Sequence, residues 1–170
     1  MLAIIQHTPL WAFALLALLV FLGVQALRPR DVPLWRLLLV PAAFIVWGVT
    51  SLLGRASAAP LLGVDWLATA AIGIAIGWGM TRLEGVHIDH ADARVRVPGS
   101  PVPLVRNLAI FLAKYCLTAA MAVAPALQAT LSPWDIGISG LSAGYFIGWL
   151  VRFALKYRGG RRPRTVSTAG

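Results

Sequence analysis

The sequence is short of almost everything a soluble enzyme is built from. Of 170 residues only 12% are charged, six are acidic, three are histidine and one is cysteine. No nucleophile stands beside a base, no Cys/His cluster has metal-ligand spacing, and no glycine-rich phosphate loop is present. Nothing here points to an enzyme, and no cofactor is expected. The lone Cys116 cannot form an intramolecular disulfide and reads as a small packing residue inside an apolar run. Lys and Arg are missing too, but only from alternate segments of the chain.

What is abundant is apolar surface: 59% of residues are hydrophobic and the mean hydropathy is +0.78. A helix needs about 20 apolar residues to cross the hydrocarbon core of a bilayer. Five runs meet that need, over 10–27, 34–53, 61–81, 104–125 and 135–156. They predict an all-α membrane protein, a bundle of five transmembrane helices forming one domain over 1–157, with connections too short for a separate soluble domain. Residues 158–170 combine Gly159-Gly160 with an Arg-Arg-Pro-Arg run and read as a basic, disordered tail in contact with lipid. The nine residues before the first run hold no Lys or Arg, so that run reads as a retained span and not as a signal peptide. Ala56-Ser57-Ala58 resembles a cleavage site, but it follows two full spans.

Orientation follows from the missing charges, because short loops rich in Lys and Arg stay on the cytoplasmic side. Arg28, Arg30 and Arg36 flank the first connection; Arg82, Arg94, Arg96 and Arg106 flank the third; Arg152, Lys156, Arg158, Arg161, Arg162 and Arg164 crowd the last segment. Thirteen of the fifteen basic residues thus lie on one side, leaving Arg55 in the second connection and Lys114 inside a span. The pattern demands an odd number of spans and places the N-terminus outside and the C-terminus inside. A net charge of +9 is then explained by a rim facing anionic lipid at the cytoplasmic face, with no nucleic acid implied.

Trp11, Trp35, Trp66 and Trp134 all stand at the beginnings of runs, where an aromatic belt at the headgroup level is expected. Asp65 and Asp135 stand near the starts of the third and fifth runs, where capping of free N–H groups competes with a functional role.

The third connection is organised. Val86-His87-Ile88-Asp89-His90 and Arg94-Val95-Arg96-Val97 each alternate apolar and polar residues around Ala91-Asp92-Ala93. This predicts a short cytoplasmic β-hairpin over 86–97, with Asp89 facing Arg94 or Arg96 and the pair resting on the membrane surface or on the bundle. His87, Asp89, His90 and Asp92 have the chemistry of metal ligands, but alternate residues of a strand point to opposite faces and do not converge on one ion. No metal site is expected. The order of spans and basic links, with the stretch from His87 to Val97 and the helix from Arg106 to Tyr115, resembles the small CcdC-like membrane proteins and related uncharacterised bacterial families. The resemblance implies a bacterial inner-membrane protein whose inner hairpin contacts partners, and it supplies no catalytic residues.

Lys114 stands at the middle of the fourth run, where a charged lysine costs about 2.5–3.5 kcal/mol on insertion scales. Asn107 and Thr118 fall on its helical stripe, as do Phe111 and Met121, while Ser142, Tyr145, Trp149 and Arg152 form a mixed stripe on the fifth run. Facing each other, these would build a polar seam, with Tyr145 or Ser142 the expected partner of Lys114 and Asp65 a possible counter-charge at another depth. Two roles stay open for Lys114, fixing helix register or handling a ligand or proton. Gly73 and Gly77, and the Gly140, Gly144, Gly148 series, are signals of close helix packing, within one chain or in a homodimer. Pro41 and Pro125 each remove a helical hydrogen bond from the second and fourth runs. Two functions are compatible with all of this: a binding, scaffold or accessory membrane protein, and a small transporter or channel working through the Lys114 seam.

Overall fold

The computed structural model describes residues 10–56, 60–81, 83–89, 92 and 94–159. Among the described residues there are five helices: α1 (Leu10–Gln25), α2 (Leu34–Ala56), α3 (Pro60–Met80), α4 (Val102–Val123) and α5 (Gln128–Gly159). Three short strands, β1 (Arg30–Pro33), β2 (His87–Asp89) and β3 (Arg94–Val97), form one antiparallel sheet in the order β1-β3-β2. Four segments are long and apolar enough to cross a membrane: Leu34–Gly54, Leu61–Met80, Val102–Val123 and Pro125–Gly159. The 16 described residues of α1 are as apolar but shorter than that span requires. Leu61, Met80, Leu53 and Trp134 are each more than two-thirds exposed, an outward apolar surface suited to lipid and costly in water.

The helix ends differ from the sequence expectation in ways that prolines explain. Ala124 takes an extended conformation because a residue before proline is pushed out of the α region, so α4 ends at Val123 and Pro125 opens a 3-10 turn (Pro125–Leu127) instead of sitting inside the span. The next helix starts at once. Pro133 lies inside α5, where its fixed φ is helical, and the helix therefore begins at Gln128, seven residues before the expected start at Asp135. Pro41 is likewise carried within α2.

The predicted hairpin is present but is two-thirds of a larger sheet. Its missing strand comes from the first connection, where Arg30, Asp31, Val32 and Pro33 pair with Val97, Arg96, Val95 and Arg94. Pro29 and Pro33 disguise this segment as a plain link, yet proline is tolerated on an edge strand. Gly85, at φ +72, makes the turn leading into β2. Val32 and Val95 are buried beneath the sheet against Phe153, with Trp149 packed alongside, so the sheet rests on the last turns of α5. Both strand-bearing connections consequently lie at one end of the bundle.

The bundle itself is assembled around α5. Its glycine face meets α3: a Cβ at Gly140 would overlap the Trp66 carbonyl, at Gly144 the Ala70 carbonyl, and at Gly148 the Ile74 carbonyl. In return, a Cβ at Gly73 or Gly77 would strike the Leu141 or Tyr145 carbonyl. Backbone lies against backbone along the whole contact. On the other side of α5, Leu19 of α1, Phe44 of α2, Phe111 of α4 and Phe146 form a buried cluster, with Phe44 and Phe146 stacked 5.0 Å apart.

Candidate functional site

The early start of α5 decides where Lys114 finds its counter-charge. Asp135 lies seven residues inside the helix, about 10 Å along its axis at 1.5 Å per residue, which brings it level with Lys114 on the neighbouring α4. The ammonium donates to Asp135 Oδ1 at 2.6 Å, to the Asp135 carbonyl at 3.2 Å and to Ser139 Oγ at 3.4 Å. The Trp47 ring of α2 covers it with its centroid 5.7 Å away. The side chains of Lys114 and Asp135 are 5% and 2% exposed. Ions withdrawn from water this fully persist only when paired and hydrogen-bonded, and here all three ammonium protons have an acceptor in range.

This arrangement corrects the expected partners. Tyr145 accepts a hydrogen bond from Arg106 at 3.2 Å and does not reach Lys114. Ser142 donates to the Ser139 carbonyl, one turn back on its own helix. Asp135 is a buried ion-pair partner and not a cap, while Asp65 is exposed on α3. Thr118 is also exposed, off the seam, because it lies a turn beyond the stretch of α4 that faces α5. Cys116 points outward, and Trp66 is buried against Ile136 and Ala143 with its Nε1 lacking a partner among the described residues, so neither fills the role expected of it.

A second polar group forms nearer the sheet. Arg106 donates from Nε to Asn107 Oδ1 at 3.1 Å and lies 5.0 and 4.7 Å from the ring centroids of Tyr145 and Phe146. Asn107 is buried. Asn107, Tyr145, Lys114 and Ser142 therefore do line the α4–α5 contact, but as two clusters. Phe44, Phe111 and Phe146 separate them with apolar packing.

At the sheet, Arg96 forms a two-pronged ion pair with Asp31 at 2.9 and 3.1 Å. This hydrogen bond holds the Asp31 carboxyl below its usual pKa and raises that of Arg96. Arg30 is held below its usual value by burial and by neighbouring Arg36. Asp89 stands opposite Arg94 in the register, as one of its two expected pairings required, and His87 stands opposite Arg96. Among the described residues no group of three His, Cys, Asp or Glu side chains could hold a metal ion; His90 lies outside them.

Two concavities lie near these groups. One is an apolar groove of about 340 Å³ between α1 and α2, with Leu19, Phe44 and Trp47 in its wall. The other is a polar cleft of about 620 Å³ at the sheet end, between the end of α3 and the last turns of α5. Neither is lined by Lys114 or Asp135.

Sequence reasoning found Lys114, named Asp135 as a cap or functional residue but not as its partner, and missed Ser139, Trp47 and Arg106. The signal was present: Asp135, Ser139 and Ser142 follow one another at helical spacing, but a span expected to open at Asp135 puts that residue at a helix end and not level with Lys114. The chain belongs to DUF6622, a family of unknown function, whose profile matches residues 1–162. That match carries no link to CcdC-like proteins, and no curated protein or solved structure matches the chain.

Proposed function

We propose that the chain is a multi-pass protein of the bacterial inner membrane that acts by binding, as a scaffold or accessory protein, and not by catalysis. Its N-terminus lies outside, and its sheet and C-terminal tail lie in the cytoplasm beside anionic lipid. The thirteen basic residues of the sheet-side segments support that orientation. The observation that carries the binding reading is the closure of the buried charge. Lys114 is satisfied by Asp135 and Ser139, and an aromatic cluster interrupts the polar seam on its way to the sheet. Homodimerisation belongs to the same proposal, but through a face other than the glycine stripes, which α3 and α5 fill within one chain.

A small transporter is the second reading, favoured by one fact: an ionisable pair inside the spans marks ion or proton paths in many membrane proteins. Reconstituted vesicles separate the two. The scaffold reading expects proton and chloride flux no faster than in empty vesicles. Faster flux that disappears in K114M/D135L, with the protein still folded, would establish transport. Cysteine labelling tests the orientation, because S57C should react from outside and S167C from the cytoplasm.

A further inference from the structure

We infer that the cleft between the end of α3 and the last turns of α5 binds the phosphoethanolamine headgroup of a membrane lipid, with the phosphodiester on Arg152 and Lys156 and the ammonium on Glu84. The inference rests on the membrane reading above and assigns a ligand to a site that reading leaves open. Gly79, Thr81, Leu83, Glu84, Arg152 and Lys156 line the cleft, whose volume of about 620 Å³ suits a small ligand.

Depth comes first. The apolar run of α3 ends at Met80, and the cleft begins there, where hydrocarbon gives way to headgroups. Arg152 and Lys156 are four residues apart on α5 and so share one face. Arg152 donates to the Trp78 carbonyl and Lys156 to the Leu83 carbonyl, which holds both cations at the cleft while leaving further N–H donors on each. A Cβ at Gly79 would meet nothing within 4 Å, so the opening beside these cations is unobstructed. Trp78, Val151 and Leu155, each next in sequence to a residue of the cleft, are exposed by 43%, 44% and 53%, apolar surface open to acyl chains that a free phosphate would not use.

Glu84 sets the headgroup. Two cations alone would favour any anionic lipid, but a carboxylate in the same cleft repels a purely anionic group and accepts hydrogen bonds from a primary ammonium. Phosphoethanolamine carries one charge of each sign. A quaternary amine lacks the N–H donors, and a glycerol headgroup lacks the cation.

The test uses the full chain in detergent, with binding of short-chain phosphatidylethanolamine, phosphatidylglycerol and phosphatidylcholine read by native mass spectrometry and thermal shift. Phosphatidylethanolamine is expected to bind about fivefold more tightly than either other lipid, the size of one exposed ion pair. E84Q, which leaves both carbonyl contacts in place, should erase that preference, and R152Q or K156Q should weaken all three lipids. An unchanged preference in E84Q, or none in the parent protein, would overturn the inference. So would inorganic phosphate or O-phosphoethanolamine competing as well as the lipid, since the ligand would then be soluble. Alkaline carbonate washing of the source membranes keeps the two claims apart: release of the chain defeats the membrane reading, whereas retention without lipid preference defeats the headgroup site alone.

Discussion

Two ion pairs in this molecule have nearly the same chemistry and opposite circumstances. Lys114 and Asp135 meet at 2.6 Å with side chains 5% and 2% exposed, whereas Arg96 and Asp31 meet at 2.9 Å with side chains 68% and 44% exposed. The sheet pair is solvated whether or not it forms, so it fixes register without deciding the fold. The bundle pair has no such alternative. Either ion left alone would be stranded in a low dielectric, and the pair therefore acts as a condition on how α4 and α5 assemble.

The largest effect that can be imposed on this contrast comes from the backbone. Replacing Gly144 by Leu would drive a side chain into the Ala70 carbonyl, separate α3 from α5 and unseat Asp135. The expected loss exceeds about 4–5 kcal/mol, and the variant should fail to accumulate or melt without a cooperative transition. Next comes the pair itself. D135A removes one partner and should cost about 3–5 kcal/mol, measured by thermal or denaturant unfolding in detergent. K114M/D135L removes both, and it should recover most of that loss, since well-packed apolar replacements of buried ion pairs are often neutral. A double variant as unstable as D135A would mean that packing, and not charge, is what the site supplies.

The smallest effect is expected at the sheet. D31N should leave the melting temperature within error. Because Arg96 holds the Asp31 carboxyl below its ordinary pKa, whatever the pair contributes is present at neutral pH and is lost only as pH falls through that lowered value. An acid titration of the parent protein should show the sheet's register held down to strongly acidic pH, and D31N should remove that acid dependence. A large destabilisation in D31N at neutral pH would erase the distinction between the two pairs.

How much of this was legible in the sequence depends on range. Apolar runs and glycine spacing are local signals, and the five helical segments and the two glycine stripes could be named directly. Partners are not local. Nothing in Arg30-Asp31-Val32-Pro33 marks a strand until β3 lies beside it, and the counter-charge of Lys114 depended on whether Pro133 ended a helix or was absorbed by one. Rim charges were countable, but only the fold places Arg106 on the rings of Tyr145 and Phe146, and Arg152 and Lys156 around a cleft.

The three-stranded sheet also orders events in time. Its first strand is synthesised long before its partner: Asp31 and Arg96 are 65 residues apart, and two helices must be made in between. During that interval β1 has no neighbour. It can pair only when the hairpin reaches the same end of the bundle, which requires α2 and α3 to run out and back as a unit. An inverted or skipped helix would leave the two connections on opposite faces and the sheet unclosed. Closure of β1 onto β3 thus reports that α2 and α3 have run out and back, and its apolar face is covered only when Trp149 and Phe153 of α5 arrive beneath it.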